Sequence, residues 1–342
     1  MKLVTFMGLG PHWDARRGPA IGALVGDAVV DIVTAQSWAQ GTRGLRPLEL
    51  PTDMELLLVG NNRQPYFDHI REVLAALEGQ DILALKGKGR AAVALPLSRV
   101  RLFAPLPFPR SVRDFYAFEQ HVKAARARRG LEMVPEWYEV PVFYFSNHNA
   151  IFGPDDDIPK PRATQELDYE LEIACVIGKP GRDIPVGEAE NYIAGYMIMN
   201  DWSARDIQRK EMRLNLGPAK GKDFATSFGP ALVTPDELED RRIVREGRGS
   251  VYDLAMTARI NGREFSRGNF KDIYYTFAQM IAYASQDTML YPGDVLGSGT
   301  VGTGCILELG PETTGGWLKP GDVVELEVER LGVLRNRVVE RR

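Results

Sequence analysis

The chain has 342 residues, 44% of them apolar and 26% charged, and a net charge of −4. These proportions are ordinary for a soluble globular protein, and the length predicts two or three domains. The mild acidity gives no support for nucleic acid or an anionic membrane surface as a partner.

We expect neither a signal peptide nor a membrane-spanning helix. Residues Met1–Phe6 are typical of a strand, and no apolar run approaches the length of a membrane helix. The predicted location is therefore the cytoplasm. Cys175 and Cys305 lie far apart in apolar runs, which favours two buried thiols over a disulfide or a zinc site.

The N-terminal part is predicted to be β-rich over residues 1–35, with a tight hairpin at Gly26 and Asp27. Apolar periodicity then predicts helices over 53–58 and 66–77 and a strand over 100–103.

A proline-rich segment, Pro105–Pro109, cannot join a helix or a central strand. We place a domain boundary there. The sequence thus predicts a smaller β-rich domain with a helical insertion over 1–104 and a second domain over 105–342.

The second domain is predicted to open with a helix over Phe115–Arg129, because Asp114 is a good N-cap and Gly130 a good C-terminal stop. Strands should dominate from Val140 onward, with helices near 203–211 and 270–285.

Carboxylates alternate along the apolar run that begins near residue 168. Asp168, Glu170 and Glu172 have period two, which puts them on one face of a strand. Any strand with one solvated face has this pattern too. Asp201 follows about thirty residues later, where a strand stops and a helix starts, and could equally be a cap with Ser203 and Asp206. Convergence of these acids would make a site for a hard divalent cation such as magnesium, manganese or calcium.

His121, one of four histidines, lies seven residues after Asp114, so the predicted helix puts both on one face. A lone helical histidine is usually a packing or surface residue. Pairing with a carboxylate would instead make it a base.

Six ordered segments resemble the fumarylacetoacetate hydrolase family, over most of residues 100–330. Together they are specific, although each alone would be weak. The segments are Asp114–Tyr116 with Gln120–His121, Pro135–Tyr144, Leu167–Glu172, Met199–Gln208, Gly221–Thr226 and Gly297–Glu308.

The resemblance implies roles for individual residues. His121 would be the catalytic base with Glu308 as its partner, and Lys222 would also be catalytic. The implied substrate contacts are Tyr116, Tyr144, Gln208 and Thr300. The implied metal site comprises Asp114, Glu170, Glu172, Asp201, Lys222 and Thr226.

The resemblance also implies an α+β fold, a mixed β-roll with a smaller β-containing N-terminal domain. It implies a homodimer and a divalent cation, Mg2+ or else Ca2+ or Mn2+. The usual reaction of the family is hydrolytic cleavage of a carbon–carbon bond in a β-diketo acid.

Two positions depart from members of the family that act on fumarylacetoacetate. Those proteins carry an arginine shortly after the histidine and a tyrosine after the glutamine motif. Here Met212 takes the tyrosine position, and Arg126, Arg128 or Arg129 would stand in for the arginine. Both differences lie where the distal end of the substrate should bind, so the substrate stays open.

Gly297, Gly299 and Gly302 match a dinucleotide-binding fingerprint, which requires a helix at the last glycine. The following residues, Thr303–Glu308, are predicted to be a strand, so we reject this interpretation. The glycines are expected to allow close backbone approach.

Two rival functions remain. One is a metal-dependent decarboxylase, isomerase or hydratase of a 2-oxo acid such as oxaloacetate, which needs no attack of water on a carbonyl. The other is a binding protein without chemistry, which would have no use for His121 and Glu308. A nucleic-acid role could rest only on the basic run Lys123–Arg129.

Overall fold

A computed structural model describes residues 1–10, 18–62, 65–128 and 130–341. Its strands are, in chain order, β1 Lys2–Gly8, β2 Ala20–Val25, β3 Ala28–Asp31, β4 Ala94–Pro96, β5 Val100–Leu102, β6 Ser111–Phe115, β7 Phe143–Ser146, β8 Ile151–Phe152, β9 Asp157–Pro159, β10 Leu167–Asp168, β11 Leu171–Ile177, β12 Gly181–Arg182, β13 Ile193–Asp201, β14 Ser203–Ala204, β15 Thr226–Val233, β16 Arg242–Arg245, β17 Gly249–Tyr252, β18 Ala255–Ile260, β19 Arg263–Asn269, β20 Met289–Leu290, β21 Asp294–Gly297, β22 Val323–Val328 and β23 Gly332–Val339. Its α-helices are α1 Ile32–Arg43, α2 Met54–Asn61, α3 Tyr66–Ala76, α4 Glu119–Ala127, α5 Val186–Ala189, α6 Arg205–Met212, α7 Phe277–Ala284, α8 Ile306–Leu309 and α9 Pro311–Thr314.

A twelve-stranded sheet forms the centre of the molecule. Its main path runs β4-β3-β2-β1-β15-β13-β11-β21-β6-β7, with β5 paired to β1 and β8 to β15. A five-stranded sheet has the order β19-β18-β22-β23-β9. The predicted α+β class is confirmed. Strand β1 pairs with β15, so the large sheet contains strands from both sides of residue 105. The domain boundary predicted at that residue stays a prediction.

Strands β11 and β13 separate two hydrophobic cores. Every residue of β11 is buried, and its side chains alternate between the cores. Ile173 and Cys175 belong to the larger core, whereas Ala174 and Val176 belong to the other. A strand buried on both faces has a nearly continuous apolar sequence, which explains the run that the sequence carries here.

The hairpin predicted at Gly26 and Asp27 is confirmed by the pairing of β2 with β3. Helices α2 and α3 also confirm their predictions. Helix α1 was not predicted: its residues 32–35 lie in the segment interpreted as β-rich, and no helix was predicted between that segment and residue 53. Its N-terminus is capped by Asp31, whose carboxylate accepts a hydrogen bond from the Thr34 amide at 3.0 Å.

The prediction of a helix over Phe115–Arg129 was wrong for its first turn. Asp114 and Phe115 end strand β6, and helix α4 begins only at Glu119. Strand β6 lies between β21 and β7, and this pairing on both sides overrides the capping signal of Asp114. Asp114 and His121 therefore do not share a helix face. Arg129 lies outside the described residues.

Three smaller predictions also need correction. Helix α6 begins at Arg205 without a side-chain cap, so Ser203 and Asp206 form no capping box. Residues 270–285 contain a 3-10 turn and then α7 rather than one helix. The run Thr303–Glu308 is a turn followed by the four-residue helix α8, not a strand.

The described ranges contain no helix long and apolar enough to cross a membrane. Cys175 and Cys305 are buried free thiols, as predicted.

Candidate metal centre and catalytic pair

Four buried carboxylates converge at one end of the large sheet. Asp114, Glu170, Glu172 and Asp201 each offer an oxygen, and these oxygens lie within 4.8 Å of one another. The four carboxylates that the family resemblance implied for the metal site are therefore close together, with Asp114 contributed by β6. Asp168, the first acid of the alternating run, is not in the cluster.

The alternation of strand side chains explains how the acids meet. Glu172 has the same parity as Ala174 on β11, and Asp201 the same parity as Met199 on β13, so both side chains lie on the face of the smaller core. Asp114 occupies the corresponding face of β6.

Gly297 leaves room for this approach. It lies on β21 between β11 and β6, opposite Ala174 on one side and Asp114 on the other. A Cβ at this glycine would lie 2.6 Å from Asp114 Oδ1 and 2.8 Å from Met199 Sδ. Gly297 thus allows the close approach that the sequence predicted, and the group that approaches it is the Asp114 carboxylate.

Two buried cations contact the cluster. Lys222 Nζ donates to Glu170 Oε2 at 2.5 Å and to Asp201 Oδ2 at 2.7 Å. Arg205 Nη2 donates to Glu170 Oε1 at 2.8 Å. Two cations would not balance four ionised carboxylates, so full ionisation of the cluster would leave an excess of negative charge.

The pKa values of the acids reflect this excess. Burial, and then the negative charge of Asp201, raises the pKa of Asp114 well above its usual range. Burial and the charge of Asp114 do the same to the pKa of Glu172. Burial would also raise the pKa of Glu170, but Lys222, Arg205 and His121 outweigh it and lower that pKa.

Two carboxylate oxygens of the cluster have no hydrogen-bond partner among the described residues. They are Glu172 Oε2 and Asp201 Oδ1, and both are buried. Orphaned buried oxygens are rare in folded proteins and call for an unseen partner. A hard divalent cation prefers this kind of all-oxygen donor set, so the residues fit Mg2+, Mn2+ or Ca2+.

His121 and Glu308 form a buried pair beside the cluster. His121 Nδ1 on α4 contacts Glu308 Oε1 on α8, and each side chain is about 95% buried. The other oxygen of Glu308 accepts a hydrogen bond from the Thr303 amide at 2.9 Å. The partnership predicted for these two residues is thus present as a direct contact.

The predicted substrate residues surround these groups. The Tyr144 hydroxyl donates to Asp201 Oδ2, and the Tyr116 ring meets the His121 ring edge-on at 5.4 Å. Thr300 Oγ1 lies 3.4 Å from Glu172 Oε1.

Gln208 and Thr226 are positioned by their own elements. Gln208 Oε1 accepts a hydrogen bond from Arg205 Nη1 at 3.2 Å, one turn earlier on α6. Thr226 is the register partner of Asp201 across β13 and β15, and it is buried. The substrate and metal roles of these residues stay predictions.

The positions that depart from the family pattern lie at the edge of the site. Arg128 Nε donates to the carbonyl oxygen of Glu308 at 2.9 Å, whereas Arg126 Nε donates to the carbonyl of Glu132. Met212 ends α6 and is 42% exposed. Of the two substitute arginines that lie in the described ranges, Arg126 and Arg128, it is thus Arg128 that contacts the helix carrying Glu308.

Arg205 has a place in the site that was not predicted, although it lies in the Met199–Gln208 motif. Its guanidinium contacts Asp168, Glu170 and Gln208. The spacing of Arg205 and Gln208, three residues apart on a helix, was the signal that could have joined them.

Comparison with known proteins places the chain in a family. The family model for the fumarylacetoacetate (FAA) hydrolase C-terminal region matches residues 110–339. A 2,4-didehydro-3-deoxy-L-rhamnonate hydrolase of Sphingomonas sp. (strain SKA58) is 35% identical over 58% of this chain, which spans 65% of that protein. The mitochondrial oxaloacetate tautomerase FAHD2A of Homo sapiens is 32% identical over 77% of each chain.

The fold also matches solved structures. A maleylpyruvate hydrolase from Sphingobium sp. SYK-6, solved in complex with manganese (II) ion and pyruvate, is 22% identical, with a TM-score of 0.66 and full coverage of both chains. This likeness concerns the fold and confirms the predicted mixed β-roll architecture.

We predict that Glu172→Gln lowers magnesium affinity by more than roughly 10-fold, since even changes beyond the ligand shell commonly cost that much. Titration calorimetry measures the affinity. Asp294→Asn is the matched control, because Asp294 is another buried carboxylate that accepts from Ser111 and from a backbone amide. Equal affinity in wild type and Glu172→Gln would remove Glu172 from the ligand set.

We also predict that magnesium binding releases protons and strengthens as pH rises. The raised pKa values mean that Asp114 and Glu172 hold protons in the cation-free protein at a pH where free carboxyls are ionised. A cation needs the ionised form, so protons compete with it below those pKa values and not above them. Calorimetry at pH 6 in buffers of different ionisation enthalpy measures the release; a binding heat independent of the buffer would contradict it.

Proposed function

Because the chain belongs to the fumarylacetoacetate hydrolase family, we propose that it is a divalent-metal-dependent hydrolase that cleaves a carbon–carbon bond in a β-diketo acid. The observation that carries the proposal is the pairing of His121 with Glu308 beside a carboxylate cluster that has two unpartnered oxygens. A hydrolase that breaks such a bond needs both parts, a base for water and a means to stabilise negative charge on the substrate.

His121 is the proposed general base. Because its Nδ1 contacts the Glu308 carboxylate, Nδ1 carries the proton and Nε2 is left free to accept one from water. The carboxylate also stabilises the imidazolium that forms. General-base help of this kind contributes about 10²–10⁴ in rate.

Asp114, Glu170, Glu172 and Asp201 would hold the cation, with Thr226 adjacent. When bound, the cation supplies Lewis-acid stabilisation of the charge that develops on the substrate oxygens. Lys222 offsets part of the carboxylate charge and stays positive, because the charges of Asp201 and Glu170 outweigh the burial that would otherwise lower its pKa.

Side chains around the cluster would orient the substrate. Tyr144 and Gln208 are already held by Asp201 and Arg205. Tyr116 and Thr300 lie against His121 and Glu172. Residues fixed in this way keep a bound diketo acid close to the geometry of reaction.

A second candidate is turnover of a 2-oxo acid such as oxaloacetate by tautomerisation or decarboxylation. It is favoured by the human relative, which is named an oxaloacetate tautomerase and is 32% identical over 77% of the chain. The hydrolase relative is 35% identical over 58% of the chain. The pairing of His121 with Glu308, which suits a general base for water, supports hydrolysis as the first candidate.

A substrate panel with and without EDTA tests the proposal. Acylpyruvates, fumarylacetoacetate and oxaloacetate would be followed by loss of diketone or enol ultraviolet absorbance and by analysis of products. Hydrolysis gives two carboxylic acids from one diketo acid, decarboxylation gives carbon dioxide, and tautomerisation gives neither. Activity on a diketo acid that EDTA abolishes and magnesium restores is the expected result.

We predict that His121→Ala lowers kcat on the preferred substrate by about 10²–10⁴-fold while magnesium binding survives. The imidazole moves the proton but is not among the proposed ligands. Stopped-flow kinetics and calorimetry on one preparation measure both quantities, and His148→Ala, at an exposed histidine, is the control. Unaltered turnover in His121→Ala would refute the base assignment.

Assembly as a homodimer, a cytoplasmic location and magnesium as the cation in the cell stay predictions of the family resemblance and of the sequence.

A further inference from the structure

We propose that Asp168 is a positioning residue that ties the short helix carrying Glu308 to the carboxylate cluster. The proposal rests on the proposed function for its effect on catalysis, but the tie itself is a matter of structure. Asp168 lies outside the cluster and has no part in the mechanism described above.

Asp168 is completely buried and accepts four hydrogen bonds. Its Oδ1 accepts from the amides of Ile306 at 2.7 Å and Tyr169 at 2.9 Å. Its Oδ2 accepts from the amide of Leu307 at 3.0 Å and from Arg205 Nε at 2.8 Å. Both oxygens are thus occupied by donors from three parts of the chain.

Two of these donors open helix α8, Ile306–Leu309. A helix of four residues cannot hold itself together, because nucleation costs more than its few hydrogen bonds return. Its own N-cap residue, Cys305, makes no side-chain cap. Asp168 supplies the missing cap from 138 residues away and so sets the orientation of the turn that carries Glu308.

The fourth donor connects this cap to the metal cluster. Arg205 bridges Asp168 Oδ2 and Glu170 Oε1, with both contacts at 2.8 Å. Asp168 ends β10, and Glu170 lies two residues later, just before β11, the strand that carries Glu172. The His121–Glu308 pair and the carboxylate cluster are therefore connected through the buried carboxylate of Asp168 and the guanidinium of Arg205.

The variant Asp168→Asn tests the cap directly. The side-chain nitrogen of asparagine cannot accept a hydrogen bond. The variant therefore has one acceptor oxygen in place of the two that receive the four donors in wild type. We expect the amides of Ile306 and Leu307 to exchange hydrogen at least roughly 10-fold faster than in wild type. We expect kcat to fall by roughly 10–100-fold, the usual effect of losing a partner behind a functional residue, with KM changed by less than about 3-fold.

The pH dependence of kcat separates positioning from simple destabilisation. Because Glu308 moves relative to His121, the acidic limb of the profile should shift in Asp168→Asn. The control is Asp294→Asn, because Asp294 is also a buried aspartate that faces an arginine, Arg113. This variant should be less stable than wild type, but its acidic limb and the hydrogen-exchange rates of the α8 amides should be unchanged. An unshifted limb and unchanged exchange in Asp168→Asn overturn the proposal.

Rescue by a local cap gives a second test. Cys305 has the extended backbone of an N-cap residue, with φ −151° and ψ 162°, and a serine there can accept from the first turn. Asp168→Asn with Cys305→Ser should therefore regain part of the protection of α8 and part of kcat. Absence of any regain in both readouts counts against capping as the role.

Wild-type hydrogen exchange covers the case in which Asp168→Asn does not fold. The Ile306 and Leu307 amides should then be protected in wild type to the same degree as those of the neighbouring strand β11, and fast exchange there overturns the proposal. A wild-type protein inactive on the whole substrate panel would defeat the proposed function, while the exchange data would still decide whether Asp168 holds α8.

Discussion

The burial of unbalanced negative charge is the constraint on which the site depends. Four carboxylates share a volume less than 5 Å across, and bringing ionised groups out of water is expensive unless each finds a partner. Lys222 and Arg205 meet part of that need, but Arg205 also serves Asp168. Burial and mutual repulsion shift the remainder toward the protonated form, as the raised pKa values of Asp114 and Glu172 express. A divalent cation would balance the charge and also give a partner to the two oxygens that have none among the described residues.

The fold holds the cluster together by placing three of its four acids, Asp114, Glu172 and Asp201, on strands, while Glu170 lies just before β11. Strands β6, β11 and β13 belong to one sheet and are paired on both sides, so the acids they carry cannot separate to relieve repulsion. Gly297 removes the side chain that would otherwise stand beside Asp114. The loop before β15 is fixed as well, because Glu211 accepts from the amides of Ala219, Lys220 and Gly221 and so delivers Lys222 to the acids.

The sequence predicted those parts of the site that follow from local periodicity or from a complete motif. Period two brought Glu170 and Glu172 together, but the single strand predicted for Asp168, Glu170 and Glu172 was wrong, because Asp168 ends β10 and Glu170 precedes β11. The motif ending at Gln208 supplied Asp201. Asp114 was assigned to a helix because its local signals, an acid cap and a later glycine, are those of a helix start; only pairing of β6 with β21, about 180 residues away, makes it a strand. Helix α8 escaped prediction for a related reason. Its cap lies on Asp168, and no pattern near residue 306 reports a bond to residue 168.

The same arrangement bears on the choice of reaction. Tautomerisation and hydrolysis both need a proton carrier and a stabilised enolic oxygen, so the carboxylate cluster alone serves either. Hydrolysis asks more of the base, which must take a proton from water and later return it to the carbon that leaves. The proposed base, His121, would meet that demand, since its Nδ1 contacts Glu308, which accepts a hydrogen bond from the Thr303 amide and lies on the helix whose first amides donate to Asp168. A base held by these contacts would keep its orientation over both proton transfers, and this is the reason that we propose hydrolysis ahead of tautomerisation.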